Sequence, residues 1–416
     1  MRHGLFRKIS AMGILILIFG TVWLTSLSGN ISVVAVGVTV YVDDDNIGGP
    51  WDGTLDYPYQ NITSGLEHAS NGDTVYVLNG TYDENVVIDK SVALKGDSKP
   101  VIDGMGGMGA RGIDITANNV TVEGFNITNS VFGIYCNASG FSIINNIFWY
   151  DHQGFYWRIQ ESYLAADYTV YGGVVENNEF YMSSANDAVH AYVALNYNYT
   201  GFYDVEIGDI QICNNTFYME GTIAMGIDVD GFYVECLYGG TVSFGVFNMS
   251  ENTIFGGEVG IDFYGNLEEL KDVQASVGDV IIKNNVMVNQ SSCGMYVDYY
   301  DGTYWYGNTV GTYGNLIITG NTITSVYGAD GIYLSDIGYW YDFHGNASLE
   351  VGNVYIEENE IDVGGDGIYF YGYDVGYDMY DNSSFTIGHI SVKNNIINSG
   401  SDGIYVDFYE FGYYMY

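Results

Sequence analysis

The sequence contains few basic residues. Only 11 of its 416 residues are Lys or Arg, against 51 Asp and Glu, and the formal net charge is −40. A protein that binds nucleic acid needs a basic face to neutralise phosphates, so this composition argues against that class. Self-repulsion at this charge keeps a chain soluble, and it suits a surface that meets cations, high salt or neutral polymers.

Proline is equally sparse. The three prolines are Pro50, Pro58 and Pro100, so none falls in residues 101–416. Proline cannot donate a hydrogen bond to a neighbouring strand and is excluded from sheet interiors. Its absence from three quarters of the chain therefore favours β-strands there.

Cysteine is also rare, and its spacing excludes common metal sites. The four cysteines, none of them in a CxxC pair, are Cys136, Cys213, Cys236 and Cys293. Cys136 and Cys293 lie beside Gly-x-Tyr and Gly-Met-Tyr segments that read as strands. This pattern predicts either core residues or one disulfide, with no metal site.

Residues 1–37 have the pattern of an export signal. Basic residues from Arg2 to Lys8 precede the apolar stretch 12–24, and Ala35 and Gly37 form a candidate cleavage pair. An uncleaved membrane anchor is the alternative, because "ISVVAVGVTVYV" stays apolar. No other segment reaches the roughly 18 apolar residues of a membrane span. We therefore expect a secreted protein at the cell surface, in contact with a membrane only through this segment or a C-terminal anchor after Tyr416. Twelve Asn-x-Ser/Thr sequons agree with a glycoprotein.

The rest of the chain is a repeat aligned on one asparagine. Apolar pairs precede this residue by five and three positions in most units, an apolar residue follows two positions later, and a small-apolar pair such as Gly331-Ile332 follows after nine to twelve. The asparagines stand 32 to 38 residues apart, at Asn146, Asn178, Asn215, Asn252, Asn285, Asn321, Asn359 and Asn395. An earlier unit carries Phe125 in the same place. A fixed period of this length indicates a repeat architecture.

The alternation of apolar residues within each unit has a period of two, which predicts strands. Short strands joined by corners and stacked many times form a right-handed parallel β-helix, with coils about 4.8 Å apart. We interpret the asparagine as structural: at a tight corner it tolerates the left-handed conformation, and its side-chain amide can bond the next coil.

Later units carry about a dozen extra residues before the next apolar pair. These segments are rich in tyrosine, keep the two-residue alternation and centre on turn residues such as Asp301-Gly302. We expect each to extend outward as a hairpin, and successive hairpins to stack along one side of the helix.

The domain organisation follows from these patterns. Residues 38–100 are expected to form an N-terminal cap with the first coils, in which "QNITSGLEHAS" is a short amphipathic helix that closes the core. Residues 101–416 are the repeats. They stop at "DGIYVDFYEFGYYMY", in the middle of a unit.

The segment "YVDDDN…PWDGT…PYQNITSGLEHASNGDTVYVLNGTYDENVVIDKSVALKG", followed by "NNVTVEGFNITNS", resembles the archaeal cell-surface β-helix proteins of the pectin-lyase-like superfamily. Accessory β-helix proteins for periplasmic copper sites are similar. The resemblance implies the fold and a surface location. It implies little about activity, because its members include lyases, glycosidases, esterases and non-catalytic surface proteins.

Candidate catalytic residues are few. A lyase of this fold would need a basic residue as proton abstractor. The basic residues after the cap are Arg111, Arg158, Lys271, Lys283 and Lys393. Lys283 and Lys393 are solvated positions of the repeat, and the candidates are Arg111 and Arg158. The paired-Asp and Gly-His-Gly signatures of polygalacturonases are absent. The histidines are scattered without zinc or copper spacing, so copper delivery has no support.

Calcium is the more plausible cofactor. Asp43–Asp45 and the pair Asp228 and Asp230 supply oxygen ligands. A repeating slot, which predicts a column of carboxylates one coil apart, holds Asp330, Asp366 and Asp402. The alternative is a row of hydrated surface charges.

Aromatic residues of the extensions are the candidate ligand-binding groups. Tyrosine combines a flat apolar face with a polar tip, which suits sugar rings or protein contacts. The selected residues are Tyr304, Trp305, Tyr306, Tyr339, Trp340, Tyr341, Tyr371, Tyr373 and Tyr377. The alternative is that many of them face inward as the core of the extension.

Together these observations predict a non-catalytic β-helix protein of the cell surface, an envelope component or adhesin whose partners are polysaccharides or other surface proteins. A polysaccharide lyase or glycoside hydrolase, and a soluble glycan-binding module, are the alternatives.

Overall fold

The structure is a computed structural model that describes residues 37–149, 152–161, 167–183, 187–199, 203–221, 223–336, 340–373 and 377–409. The chain from Val38 onward forms one compact unit. The predicted signal segment and Tyr339 lie outside the described residues. Within the described residues, no helix is both long and apolar enough to cross a bilayer.

Four parallel sheets make up nearly all of the described chain. From Thr74 onward, each coil runs through sheets 1, 2 and 3 in turn, and from residue 168 onward also through sheet 4. Every strand pairs in parallel with the equivalent strands of the coils before and after it, as Val280–Lys283 does with Leu316–Thr319. The predicted fold class, an all-β parallel β-helix, is confirmed.

The strands of the four sheets have the following bounds. Sheet 1 consists of Thr39–Val42, Thr74–Val77, Ala93–Gly96, Thr121–Glu123, Ser142–Ile144, Gly173–Glu176, Ile210–Cys213, Phe247–Ser250, Val280–Lys283, Leu316–Thr319, Val354–Glu357 and Ile390–Lys393. Sheet 2 consists of Thr81–Asp83, Val101–Asp103, Asn126–Thr128, Ile147–Trp149, Glu179–Met182, Thr216–Met219, Thr253–Gly256, Val286–Val288, Thr322–Thr324, Glu360–Val363 and Ile396–Ser399.

Sheet 3 consists of Val86–Ile88, Arg111–Ile115, Phe132–Cys136, Gln153–Glu161, Val189–Tyr199, Met225–Leu237, Val259–Glu268, Cys293–Thr303, Asp330–Ser335, Ile368–Tyr373 and Ile404–Tyr409, with Trp340–Phe343 and Tyr377–Met379 at one side. Sheet 4 consists of Tyr168–Val170, Tyr203–Ile207, Gly240–Phe244, Gln274–Val277, Val310–Tyr313, Ser348–Val351 and Ser384–Ile387.

The apolar repeat positions point into the coil and form one core. Ile282, Ile318 and Ile356 occupy equivalent positions of sheet 1 and are fully buried. Sheets 2 and 3 contribute equivalent columns, in which Phe148, Phe180 and Phe217 stack as the inner row of sheet 2. Because each side chain contacts its copy in the next coil, the period of the sequence becomes a continuous hydrophobic column.

The repeated asparagines lie at the corner between sheets 1 and 2. They are buried from Asn146 to Asn359, and Asn395 is half-buried. At Asn321, the side-chain Oδ1 accepts a hydrogen bond from the backbone N–H of Asn285 at 2.9 Å, and Nδ2 donates to the carbonyl of Ile282 at 2.9 Å. The same bonds recur from Asn146 to Asn395. Phe125 ends the series, since its backbone N–H donates to Asn146 Oδ1 at 3.0 Å.

The left-handed conformation, however, is not that of the repeated asparagine. It belongs to the residue directly before it, as at Asn145 (φ 55°), Asn284 (φ 55°) and Gly320 (φ 69°). The expectation from the sequence was therefore wrong by one position. The corner needs two residues, one that turns the backbone and one that satisfies the backbone groups of the neighbouring coil.

The extra residues of the later units lengthen sheet 3 and add sheet 4. Strand Cys293–Thr303 runs outward and Val310–Tyr313 returns. Among the described residues these two arms do not hydrogen-bond to each other as in an isolated hairpin. Each pairs with its equivalent in the adjacent coils, and the arms contact through side chains such as Tyr299 and Tyr313, with ring centroids 5.5 Å apart. The predicted stacking along one side is thus achieved by parallel pairing of every arm.

A seven-residue helix, Ile62–His68, lies between the first two strands of sheet 1. Its buried residues include Gly65, where a Cβ atom would lie 2.6 Å from the Val42 side chain. Glu84 accepts hydrogen bonds from the N–H groups of Ile62 and Thr63 at its start, and Lys90 donates to three carbonyls at its end. Opposite charges at the two ends stabilise a helix that is too short to be stable alone.

The cysteines of the described part of the chain are not paired. Cys136 and Cys293 are buried free thiols, and Cys213 is partly buried. Of the two alternatives from the sequence, the core position is therefore correct and the Cys136–Cys293 disulfide is not formed. Burial raises the pKa of the Cys136 thiol to about 12, so it stays protonated and unreactive.

Candidate functional site on the outer face of sheet 3

The outer face of sheet 3 carries one continuous row of polar and aromatic side chains. Each member is paired in register with the next, and each of those from Asp114 to Tyr369 lies between two buried residues of its strand. We call this row the outer column, which comprises Asp114, Tyr135, Tyr156, His190, Asp228, Asp262, Tyr296, Tyr333, Tyr369 and Tyr405. It contains acidic and imidazole groups in the middle and tyrosines on both sides.

The middle of the outer column is a tight cluster. His190 Nδ1 lies 2.8 Å from Asp228 Oδ2 and 3.3 Å from Asp187 Oδ2, and His190 Nε2 lies 3.6 Å from Asp230 Oδ2. The side chains of His190, Asp187 and Asp228 are 14–18% exposed. Asp262 follows Asp228 in the next coil. Several carboxylates therefore share one imidazole in a partly desolvated place.

The electrostatics of this cluster are strongly perturbed. Burial lowers the pKa of His190, but its hydrogen bonds to Asp187 and Asp228 outweigh burial and raise the pKa to about 10. Burial, together with the charges of Asp228 and Asp230, raises the pKa of Asp262 to about 7. Burial and the charge of Asp228 raise the pKa of Asp230 to about 6. Perturbed groups of this kind are concentrated at functional sites.

Arg111, one of the two candidate catalytic residues, lies near the N-terminal end of the outer column. Its Nη1 contacts Asp114 Oδ2 at 2.7 Å, and its guanidinium carbon lies 3.6 Å from the ring centroid of Tyr135. It lines a cavity of about 450 Å³ together with Val87 and Met108. An ion-paired guanidinium stacked on a ring holds that ring in place and is poorly suited to remove a proton.

Arg158, the other candidate, is two coils further along the same face. It hydrogen-bonds to Gln160, and its guanidinium carbon lies 5.8 Å from the ring centroid of Tyr192. A cavity of about 250 Å³ is lined by Arg158, Tyr135 and Asn137. The structure thus places both arginines on one face but in separate cavities.

Beyond the cluster, the outer column continues as four tyrosines. The rings of Tyr296 and Tyr333 are stacked with centroids 5.1 Å apart, those of Tyr333 and Tyr369 meet edge to face at 4.6 Å, and those of Tyr369 and Tyr405 are 5.0 Å apart. Tyr405 is 38% exposed. These rings form a ridge one side chain wide along the helix axis.

Each carboxylate of the predicted column stands three positions before a tyrosine of the outer column, as Asp330 does before Tyr333. Asp330 Oδ1 accepts the backbone N–H of Asp366 at 2.7 Å, and Asp366 Oδ1 accepts that of Asp402 at 2.8 Å. The three residues do succeed one another in adjacent coils. The carboxylates of Asp330 and Asp366, however, accept backbone N–H groups of a neighbouring coil, as the side chains of the repeated asparagines do at the other corner.

The aromatic residues selected in the extensions divide into different environments. Trp305 is fully buried, its Nε1 donates to the carbonyl of Leu267 at 2.9 Å, and its ring stacks on Phe343. It is core, and its selection as a ligand-binding residue was wrong. Tyr304 and Tyr373 are exposed, and Tyr306 and Tyr371 are half-buried. Tyr339 and the side chains of Trp340, Tyr341 and Tyr377 lie outside the described part.

Sequence reasoning missed the cluster because its members are far apart along the chain. His190 and Asp228 are 38 residues apart, and neither falls in a local metal or catalytic motif. Asp228 is among the oxygen donors that the sequence suggests, whereas His190 is one of the scattered histidines. One signal was present: His190 and Asp228 stand at equivalent distances from Asn178 and Asn215 of their own repeats, to within one residue.

Comparison with known proteins gives limited information. No protein-family model matches the chain. A segment of 78 residues, 18% of the chain, is 37% identical to a cell surface glycoprotein of Methanothermus fervidus. That segment spans 13% of the relative, so the chain covers a small part of it.

Several solved structures are similar to the structure of this chain. A lacto-N-biosidase of Eubacterium ramulus has a TM-score of 0.37 at 13% identity, over 89% of this chain and 68% of the other. PfbA, a surface adhesin of Streptococcus pneumoniae, has 0.34 at 11% identity, over 88% and 93%. Pectate lyase Pel9A has 0.33 at 11% identity, over 89% and 80%. Similarity this low says nothing about the activity or ligand of the present chain.

Proposed function

We propose that the chain belongs to a secreted protein of the cell surface and binds an extended polysaccharide along the outer column. The observation that carries this proposal is the unbroken row from Tyr135 to Tyr405. The relative that is 37% identical over 78 residues is a cell surface glycoprotein, and this supports a location at the cell surface. The export pattern of residues 1–37 supports it as well.

The chemistry of the row suits a sugar polymer. Adjacent coils in a parallel β-helix are about 4.8 Å apart, so the column offers one side chain per coil along a straight line. Tyrosine rings provide apolar faces with a hydroxyl at the tip, and ionised carboxylates accept hydrogen bonds from sugar hydroxyls. The column therefore repeats along one axis, as a linear polymer does.

The negative charge of the chain indicates which kind of polysaccharide it can bind. The chain carries 51 acidic against 11 basic residues, and the cluster around His190 is acidic. An anionic polysaccharide would be repelled, while a neutral one would not. We therefore expect neutral glycans to bind better than uronic-acid polymers.

The role we propose is binding without cleavage. Arg111 is engaged by Asp114 and Tyr135, and Arg158 by Gln160, so neither guanidinium is free to act as the base of a lyase. The alternative, a glycoside hydrolase, would use the carboxylates of Asp228, Asp230 and Asp262. It predicts product release, which binding does not.

Affinity electrophoresis tests the proposal. The mature chain is run through gels containing neutral or acidic polysaccharides, beside the double variant Tyr333→Ser/Tyr369→Ser. The control is Tyr355→Ser, a half-buried tyrosine of sheet 1 away from the outer column. We expect retardation in neutral gels that the double variant loses and the control keeps.

Two results would contradict the proposal. Equal migration of the parent protein in the gels with neutral and with acidic polysaccharides would contradict the proposed binding. New reducing ends or unsaturated sugars after incubation with a polysaccharide, abolished by Asp262→Asn, would establish an enzyme instead.

A further inference from the structure

We infer that Asp187, His190 and Asp228 form a binding site for a divalent transition-metal ion. The three side chains each offer one ligand atom, and these atoms all lie within 4.8 Å of one another. Such a site goes beyond the proposed glycan binding and does not depend on it.

The geometry brings the donors together from two adjacent coils. Asp187 precedes the strand Val189–Tyr199 that carries His190, and Asp228 is paired directly with His190 in the next strand of sheet 3. Asp228 Oδ2 and Asp187 Oδ2 approach the same ring nitrogen, Nδ1, at 2.8 and 3.3 Å. The donors therefore surround one point on the outer face.

The hydrogen-bonding capacity of the ring points to a cation at that point. Nδ1 of an imidazole carries at most one proton and so donates one full hydrogen bond, yet two carboxylates converge on it. An ion placed between Nδ1 and the two Oδ2 atoms would be coordinated by all three atoms. The small movements needed are those of side chains that are 14–18% exposed and so reachable from solvent.

Neighbouring groups already orient the donors. Asp187 Oδ1 accepts the backbone N–H of Met225 at 3.2 Å, which turns Oδ2 toward His190. Asp230 Oδ2 lies 3.6 Å from Nε2, on the far side of the ring. A carboxylate near the second ring nitrogen favours the tautomer that carries its proton there, which leaves the first nitrogen able to bind a metal.

The donor set selects the class of ion. One imidazole nitrogen with carboxylate oxygens suits zinc, manganese, cobalt or nickel, whereas calcium and magnesium prefer oxygen ligands alone. This donor set distinguishes the site from the column Asp330, Asp366 and Asp402, which offers carboxylate oxygens without an imidazole.

The test measures binding to the tag-free, chelator-stripped mature chain. ZnCl₂, MnCl₂ and CaCl₂ are titrated by calorimetry, and CoCl₂ is added for its visible absorption, which reports nitrogen and oxygen ligation directly. We expect one zinc or manganese ion per chain, a higher melting temperature in its presence, and no equivalent effect of calcium.

Variants decide whether the ion binds at this place. His190→Gln and Asp228→Asn should each weaken zinc binding by about tenfold or more and abolish the cobalt spectrum. The matched control is His344→Gln. His344 follows the sheet 3 strand Trp340–Phe343 and contacts Asp342 at 2.6 Å, but it has no second carboxylate in the described contacts. This control should bind as the parent does.

Asp187→Asn keeps the contact between His190 and Asp228 and serves as a second variant if either of the first two does not fold. Absence of zinc and manganese binding in the parent would overturn the inference. So would unchanged binding in the folded variants, or equal binding of calcium.

Discussion

Two parts of the same coil differ in how they use a repeated position. At the corner between sheets 1 and 2, asparagine recurs from Asn146 to Asn395, and each one from Asn178 onward bonds to the coil before it. On the outer face of sheet 3, the equally regular outer column changes from aspartate to tyrosine, histidine and aspartate again. One position is uniform and buried, the other is varied and partly exposed.

The difference shows which positions the fold itself requires. A buried backbone N–H at every corner must have a partner, so the same amide serves in every coil. The outer column has no such requirement, because its backbone groups are paired within the sheet. Its side chains are free to differ, and a local departure such as the cluster at His190 therefore carries information about function.

The largest effect is expected from the core. Ile318→Asp places a charge in a column between Ile282 and Ile356, all fully buried, and should prevent folding. The control Ile317→Asp changes the neighbouring half-buried residue, which lies on the opposite face of the same strand. Circular dichroism and size-exclusion chromatography should show a folded control and an unfolded or aggregated Ile318 variant. Two equally folded proteins would contradict the assignment of the inner face.

The second largest loss of stability is expected from a substitution of a glycine at the turn from sheet 4 to sheet 1. A Cβ atom at Gly352 would lie 2.4 Å from the carbonyl oxygen of Gly314 in the preceding coil. Because backbone cannot move aside as a side chain can, Gly352→Ala should destabilise by about 3 kcal/mol. Gly328, where a Cβ would meet nothing within 4 Å, provides the control. Denaturant unfolding measures both, and equal midpoints would show that the coils can separate at this turn.

The corner asparagine is expected to have a smaller effect. Asn321→Ala removes the acceptor of Asn285 N–H and the donor to Ile282 O, and should cost about 2 kcal/mol for the unsatisfied buried groups. Asn398→Ala, which loses one exposed bond to Asp362, should change the free energy of unfolding little. If the two variants unfold alike, the uniformity of the corner has another origin.

In the outer column, a substitution at Asp262 should stabilise the protein, whereas the substitutions above destabilise it. The pKa of Asp262 is raised from 3.8 to about 7, so the group contributes stability below pH 3.8 that is lost as the pH rises through about 7. In the presence of a chelator, Asp262→Asn should therefore melt a few degrees above the parent at pH 8 and close to it at pH 4. The control Asp204→Asn changes an exposed carboxylate of sheet 4. A melting difference for Asp262→Asn that is the same at both pH values would contradict this interpretation.

The extensions show where sequence patterns are ambiguous. Alternation with a central turn predicts two arms, and both arms exist in Cys293–Thr303 and Val310–Tyr313. Pattern alone does not say whether the arms pair with each other or with their copies in the next coil. Stacking of identical units decides this, because each arm finds a parallel partner of the same register on both sides. The same stacking buries Trp305, which as a sequence position looked like a surface residue.

By itself, the sequence determined the repeat, its strands, its inner face and the residues of its corners, because each of these depends on spacing within one unit. Only the tertiary structure decided which residues of different units meet. The pairing of the extension arms and the convergence of His190 with Asp228 and Asp230 both arise between coils. Parallel pairing sets the register of one unit on the next, and it brings residues nearly 40 positions apart within hydrogen-bonding distance.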